Sequence, residues 1–96
     1  MWYFYVVKCS DSSFYAGVTT ELTRRVKEHN GDDRRGAKYT RSRRPVQLIY
    51  SEEYPSRSAA QKEEYRFKQL NRKTKERVIS EKLLTILSQS RGFNHV

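Results

Sequence analysis

Hydrophobic and polar positions along the chain change their period several times. Residues 2–8 and 14–18 are rich in aromatic and β-branched types, which suit a pleated, half-buried surface. Between them Ser10-Asp11-Ser12-Ser13 supplies the small polar residues that turns favour, so a β-hairpin is expected. The spacing then becomes helical. Leu22 and Val26 stand four apart, Thr20 is placed to cap the first turn ahead of Glu21, and Asn30-Gly31 reads as a stop. Arg25 and His29 repeat the four-residue interval one step round from the apolar stripe, and both are expected to project from its edge toward the sheet.

From Gly31 to Pro45 periodicity disappears, and the stretch reads as an exposed cationic loop carrying Arg34, Arg35, Lys38, Arg41, Arg43 and Arg44. Alternation returns over Val46 to Tyr54, where Val46, Leu48 and Tyr50 fall opposite Gln47, Ile49 and Ser51, predicting a third strand. Ser58-x-x-Gln61 has the form of a capping box opening a helix to about Leu70. Its stripe of Ala60, Glu64, Phe67 and Asn71 places a carboxylate among inward positions. Asn71 is expected to cap a last helix on which Val78, Ile79, Leu83, Ile86 and Leu87 recur at helical spacing. Residues 1–88 therefore read as one domain and 89–96 as a tail.

Composition narrows the function. Ninety-six residues allow one small core. No apolar run reaches the roughly 18 residues of a membrane span, and no basic leader with a long apolar run opens the sequence, so a cytoplasmic protein without a membrane partner is expected. Cys9 is the single cysteine and His29 and His95 the only histidines, which excludes an intrachain disulfide and a thiolate or zinc-finger cluster. Twenty Lys and Arg against eleven Asp and Glu give a formal charge of +9. Clustered as they are, these charges make nucleic acid the leading partner.

The hairpin holds Tyr3-Phe4-Tyr5 on its first strand and Tyr15-Ala16-Gly17 on its second. In these two triplets the chain resembles the GIY-YIG nuclease family. The resemblance continues through Arg25 on the following helix, His29 one turn later and Glu64 on the helix after that, and extends to the small stand-alone bacterial members through Gly36-Ala37-Lys38-Tyr39-Thr40-Arg41 and Glu64-Tyr65-Arg66-Phe67-Lys68-Gln69-Leu70. It implies an α+β fold, a three-stranded antiparallel sheet flanked by helices in the order β-β-α-β-α-α, and hydrolysis of a phosphodiester, most simply in DNA, with one divalent ion, Mg²⁺ or Mn²⁺. Val18 departs from the lysine that many of these nucleases carry three residues after the second tyrosine, and is the apolar type common in the stand-alone members.

Residue chemistry is consistent with that implication. Phosphodiester hydrolysis needs a water deprotonated, phosphorane charge neutralised and the leaving oxygen stabilised. The expected roles are Tyr5 as general base, Tyr15 positioning water or phosphate, Arg25 on the scissile phosphate and Glu64 holding the metal. A free phenol has a pKa near 10, so Tyr5 requires activation, for which His29, Arg25 and the metal are the candidates. Arg34, Arg35, Lys38, Arg41, Arg43 and Arg44 are expected to grip phosphates, with Tyr39 available to stack on a base. The alternative is a basic nucleic-acid-binding module that keeps the scaffold and cuts little or nothing.

Overall fold

The computed structural model describes residues 1–82. Strand β1 (Trp2–Lys8) lies at the centre of a three-stranded sheet, with β2 (Phe14–Thr19) on one side and β3 (Gln47–Tyr54) on the other, both antiparallel to it. This is the expected α+β architecture. Helix α1 (Leu22–Gly31) follows the hairpin, a short α2 (Lys38–Arg41) precedes β3, and α3 (Arg57–Lys68) follows it. A last helix, α4, begins at 72 and continues to residue 82, the last described. Leu83, Ile86, Leu87 and the proposed tail lie outside the described residues.

Strand alternation gives the sheet two buried faces, because neighbouring side chains on β1 point to opposite sides. On one face Phe4, Val6, Ala16 and Tyr50 pack with Phe67 of α3 and Ile79 of α4. Phe4 and Phe67 meet edge to face, ring centroids 5.6 Å apart. This face closes at its rim on Glu52, which accepts from Tyr50 Oη at 2.5 Å, Tyr54 Oη at 2.8 Å and Lys82 Nζ at 3.1 Å. On the other face Tyr5, Val7, Cys9 and Val46 are covered by Tyr15 and by Leu22 and Val26 of α1. Cys9 is a packing residue there, and burial pushes its thiol pKa up.

The register of β1 against β2 sets Tyr5 opposite Gly17 and Val7 opposite Tyr15, so all four share the α1 face. The pairing of β1 with β3 shifts between Val6 and Val7, and Ile49 is the extra residue on β3.

Three local expectations differ from what the chain does. Helix α1 starts at Leu22 with Glu21 at its N-cap and no side-chain cap; Thr19, the buried end of β2, instead accepts the Glu21 N–H on Oγ1 at 3.1 Å, while Thr20 is exposed. Helix α3 is capped by Ser56, whose Oγ accepts the Ala59 N–H at 3.2 Å, and Ser58 lies inside its first turn. The basic stretch is not wholly a loop. It folds back as α2, and Gly36 is buried so tightly that a Cβ there would lie 2.6 Å from both the Glu28 and Asp32 carbonyl oxygens. Asn71 does cap α4, its Oδ1 accepting the Thr74 N–H at 2.9 Å.

Ser56→Ala is therefore expected to lower the unfolding free energy by about 1 kcal/mol and Ser58→Ala by less than about 0.5 kcal/mol. Urea denaturation of the two variants measures the difference, and the reverse order would return the cap to Ser58.

Candidate functional site

The centre of the α1 face is a chain of polar side chains with almost no access to water. Tyr5 is 1% exposed and His29 and Thr40 are 0% exposed. Tyr5 Oη lies 2.7 Å from His29 Nε2, and His29 Nδ1 lies 2.9 Å from Thr40 Oγ1. The proton positions follow from counting donors. Thr40 has a single hydroxyl proton, and with that proton on the Ala37 carbonyl at 3.0 Å its oxygen accepts from His29 Nδ1–H. His29 Nε2 is then bare and accepts the Tyr5 O–H.

Burial, together with the Arg25 charge, lowers the His29 pKa to about 4, so the imidazole is neutral at pH 7 and this tautomer is the resting one. Burial likewise pushes Tyr5 up to about 12, opposed by the Arg25 guanidinium and reinforced by charge on Tyr15 and Glu64. A phenol with that pKa is ionised in about one molecule in 10⁵ at pH 7. The free protein thus holds a neutral phenol against a neutral imidazole.

Why this geometry arises is local. A Cβ at position 17 would lie 2.6 Å from Tyr5 Oη and 2.9 Å from its Cζ, so the ring rests on the backbone of β2 only because the opposing residue is glycine. His29 occupies the last turn of α1 and turns inward, and the carbonyl beside it accepts from Arg44 Nε at 2.7 Å.

Arg25, one turn earlier, donates from Nε to Tyr5 Oη at 3.3 Å and from Nη1 to Glu28 at 3.1 Å and to the Arg35 carbonyl at 2.6 Å. Those bonds engage Nε and Nη1 and leave Nη2 outside them. Tyr15 sets its ring edge-on to His29 at 5.1 Å and stacks on Tyr39 at 5.9 Å.

Glu64 belongs to α3, which packs on β1 and β2. Its Oε2 is 2.5 Å from Lys68 Nζ, and that ammonium lies 5.8 Å from the centroid of the Tyr15 ring. Tyr5, Tyr15, Arg25 and His29 are therefore in direct contact as a group, and Glu64 joins them through its field at Tyr5 and through Lys68. Among the described residues no cluster of three or more His, Cys, Asp or Glu exists. A single half-buried carboxylate that already balances one cation fits a hard ion retaining most of its waters, such as Mg²⁺, and does not fit a zinc site.

The basic residues divide into two sets. Arg43 pairs with Asp11 at 3.1 Å, donates to the Tyr39 carbonyl at 2.8 Å and lies 3.9 Å over the Tyr39 ring. Arg44 joins the His29 carbonyl to Asp33. Both brace the loop. Arg34, Arg35, Lys38 and Arg41 are exposed. Tyr39, 39% exposed, has Tyr15 against its ring as well as Arg43.

Thr40 is the site residue that sequence reasoning missed. It lies in a segment without apolar spacing, and the only available signal was that a buried histidine needs a partner for each ring nitrogen. A depression of about 690 Å³ on the outer face of α3, between Ser58 and Leu70, has none of the five candidate residues in its walls. No helix among the described residues is long and apolar enough to cross a membrane.

Comparison with known proteins bears on the fold and its family. A family model, the GIY-YIG catalytic domain, matches residues 1–77. UPF0213 protein YazA of Bacillus subtilis is 55% identical over 80 residues, covering 83% of this chain and 79% of that protein. UPF0213 protein VNG_2274C of Halobacterium salinarum is 53% identical over 76 residues, covering 79% and 96%. Among solved structures, protein EF2693 from E. faecalis superposes with a TM-score of 0.60 at 51% identity over 85% of each chain. UPF0213 protein BH0048 from Bacillus halodurans gives a TM-score of 0.56 at 42% identity over 85% of this chain and 86% of that one.

The buried neutral His29 has a consequence for stability. Its folded pKa lies below the usual 6.5, so protonation favours the unfolded chain, and the stability it contributes is complete above pH 6.5 and is lost as pH falls toward 4. Between pH 6.5 and 4.5, above the depressed carboxyl pKa values of Asp11, Asp32 and Glu52, the loss is expected to be about 2 kcal/mol. Unfolding free energies measured across that interval should show this slope in the native protein and not in His29→Gln; equal slopes would remove His29 as the titrating group.

Proposed function

The chain belongs to the GIY-YIG catalytic domain family, a nuclease-type family, and on that premise we propose that it is a metal-dependent endonuclease acting on DNA. The observation that carries the proposal is the Tyr5–His29–Thr40 chain, which gives a phenol a defined proton acceptor beside a guanidinium. On this reading Tyr5 takes a proton from the attacking water as it passes its own to His29 Nε2. The Nδ1–H bond to Thr40 keeps the acceptor lone pair directed at Tyr5 throughout.

Arg25 binds the scissile phosphate through Nη2, a contact on the order of 4 kcal/mol at 4 Å and an effective dielectric of 20. Binding also has an electrostatic effect on the relay. The phosphate offsets the guanidinium charge that, after burial, lowers the His29 pKa, and so makes Nε2 a better acceptor at the moment it is needed. Tyr15 fixes the imidazole plane by edge contact and positions water or phosphate. Glu64 would hold Mg²⁺ or Mn²⁺ in place of its present partner Lys68. When bound, such an ion neutralises charge on the phosphoryl and leaving oxygens. Arg34, Arg35, Lys38 and Arg41 contact flanking phosphates, while Arg43 and Arg44 hold the loop that presents them.

A second reading has an observation of its own. Tyr5 is 1% exposed, as a structural strut would be, and a strut would leave a nucleic-acid-binding module that cuts little. The two readings part on cleavage. A panel of single-stranded, duplex, flapped and branched DNA and of RNA is expected to give Mg²⁺-dependent product on at least one DNA. Glu64→Ala should reduce that product about a hundredfold or more with oligonucleotide binding retained. Binding without metal-dependent product on any substrate would establish the module instead.

A further inference from the structure

Among the described residues strand β2 is an edge of the sheet, with one side of its backbone free of strand partners. Beside it runs a groove of about 350 Å³ walled by Phe14, Tyr15, Tyr39, Phe67, Lys68 and Lys75, a size within the range of ligand sites. Its aromatic walls carry cations. Lys68 Nζ lies 5.8 Å from the Tyr15 centroid, Lys75 Nζ lies 5.5 Å from that of Phe67, and Arg72 Cζ lies 4.1 Å from that of Phe14. A cation held over a ring keeps its full charge, and a long side chain already ordered loses less rotamer freedom when it binds an anion.

Carboxylate partners sort these cations. Arg72 is paired with Glu76 at 2.6 Å and Lys68 with Glu64, the proposed metal ligand. Lys75 has no ion pair among the described residues. One end of the groove opens on Tyr15, which touches His29; the other reaches α4. The arginine-rich loop by contrast spends Arg43 and Arg44 on Asp11 and Asp33.

We infer that this groove is a phosphate track: a nucleic-acid strand running through the Tyr5–Arg25–Glu64 site continues along the β2 edge with its phosphates on Lys68 and Lys75. The inference rests on the proposed nucleic-acid partner and assigns it cations outside the arginine-rich loop. A metal ion on Glu64 would free Lys68 for the strand, so that loading the site and gripping the strand reinforce each other.

The test is the salt dependence of binding, followed by fluorescence anisotropy of labelled duplex and single-stranded DNA. The parent is full-length Glu64→Gln protein with chelator, which binds without cutting and leaves Lys68 unpaired. Lys68→Gln and Lys75→Gln are each expected to flatten the slope of log K against log salt by about 0.9 on duplex or about 0.7 on single strands, additively in the double variant. Lys68→Arg and Lys75→Arg, which keep the charge, should restore the slope. Lys62→Gln, exposed on the outer face of α3, should leave it unchanged. If the parent binds and the lysine variants keep its slope, the track is wrong and the nuclease reading stands; if the parent binds neither DNA, the nucleic-acid reading itself fails.

Discussion

Hiding a tyrosine hydroxyl and both nitrogens of an imidazole beneath a helix is the constraint around which this small protein is built. Any of these three atoms left without a partner would cost about 1–3 kcal/mol, and each of the three is matched. Tyr5 gives its proton to His29, His29 gives its own to Thr40, and Thr40 closes on the Ala37 carbonyl. Distant parts of the chain are fixed by this sequence of bonds. Gly17 has to lack a side chain, α1 has to end with His29 facing inward, and the basic segment has to fold back far enough to bring Thr40 under the ring. The same bonds set the chemistry, because they keep a lone pair on Nε2 and a phenol proton facing it.

Charge is arranged around that neutral centre. Arg25 is the cation in contact with Tyr5, and its charge adds to burial in making His29 a poor base in the free protein. An anion at Arg25 would offset that charge, so on the proposed function the residue that binds phosphate would also couple binding to proton transfer. Glu64, on α3, has Lys68 as its counterion. With Val18 on β2, that strand adds no cation of its own, and the ammonium that comes near Tyr15 is Lys68, from α3. Most of the remaining positive charge either braces the loop, as in Arg43 and Arg44, or lies exposed where a polyanion meets it.

Much of this architecture was legible in the residues. The aromatic hairpin, the Leu22/Val26 face of α1, the third strand and the Asn71 cap follow from periodicity and turn chemistry, and the ordered set of Tyr5, Tyr15, Arg25, His29 and Glu64 carried the family resemblance. What was hidden was tertiary. The stretch 31–45 has no apolar spacing because α2 buries a hydroxyl for its hydrogen bonds, a demand that no local pattern encodes. The α3 cap went to Ser56 although Ser58 matches the capping-box pattern, since where the chain leaves β3 decides which serine meets the first free N–H groups. Arg43 and Arg44 looked like free phosphate ligands because their partners, Asp11 and Asp33, are 32 and 11 residues away.

The central claim is the protonation pattern at His29, and nitrogen NMR of the imidazole reads it directly. In ¹⁵N-labelled native protein at pH 6, the account predicts a neutral ring with its proton on Nδ1 and a bare Nε2 whose shift moves when Tyr5→Phe removes the donor. A proton on Nε2, or a charged ring at that pH, would contradict it, because Tyr5 would then have no acceptor and the path from phenol to imidazole would not exist.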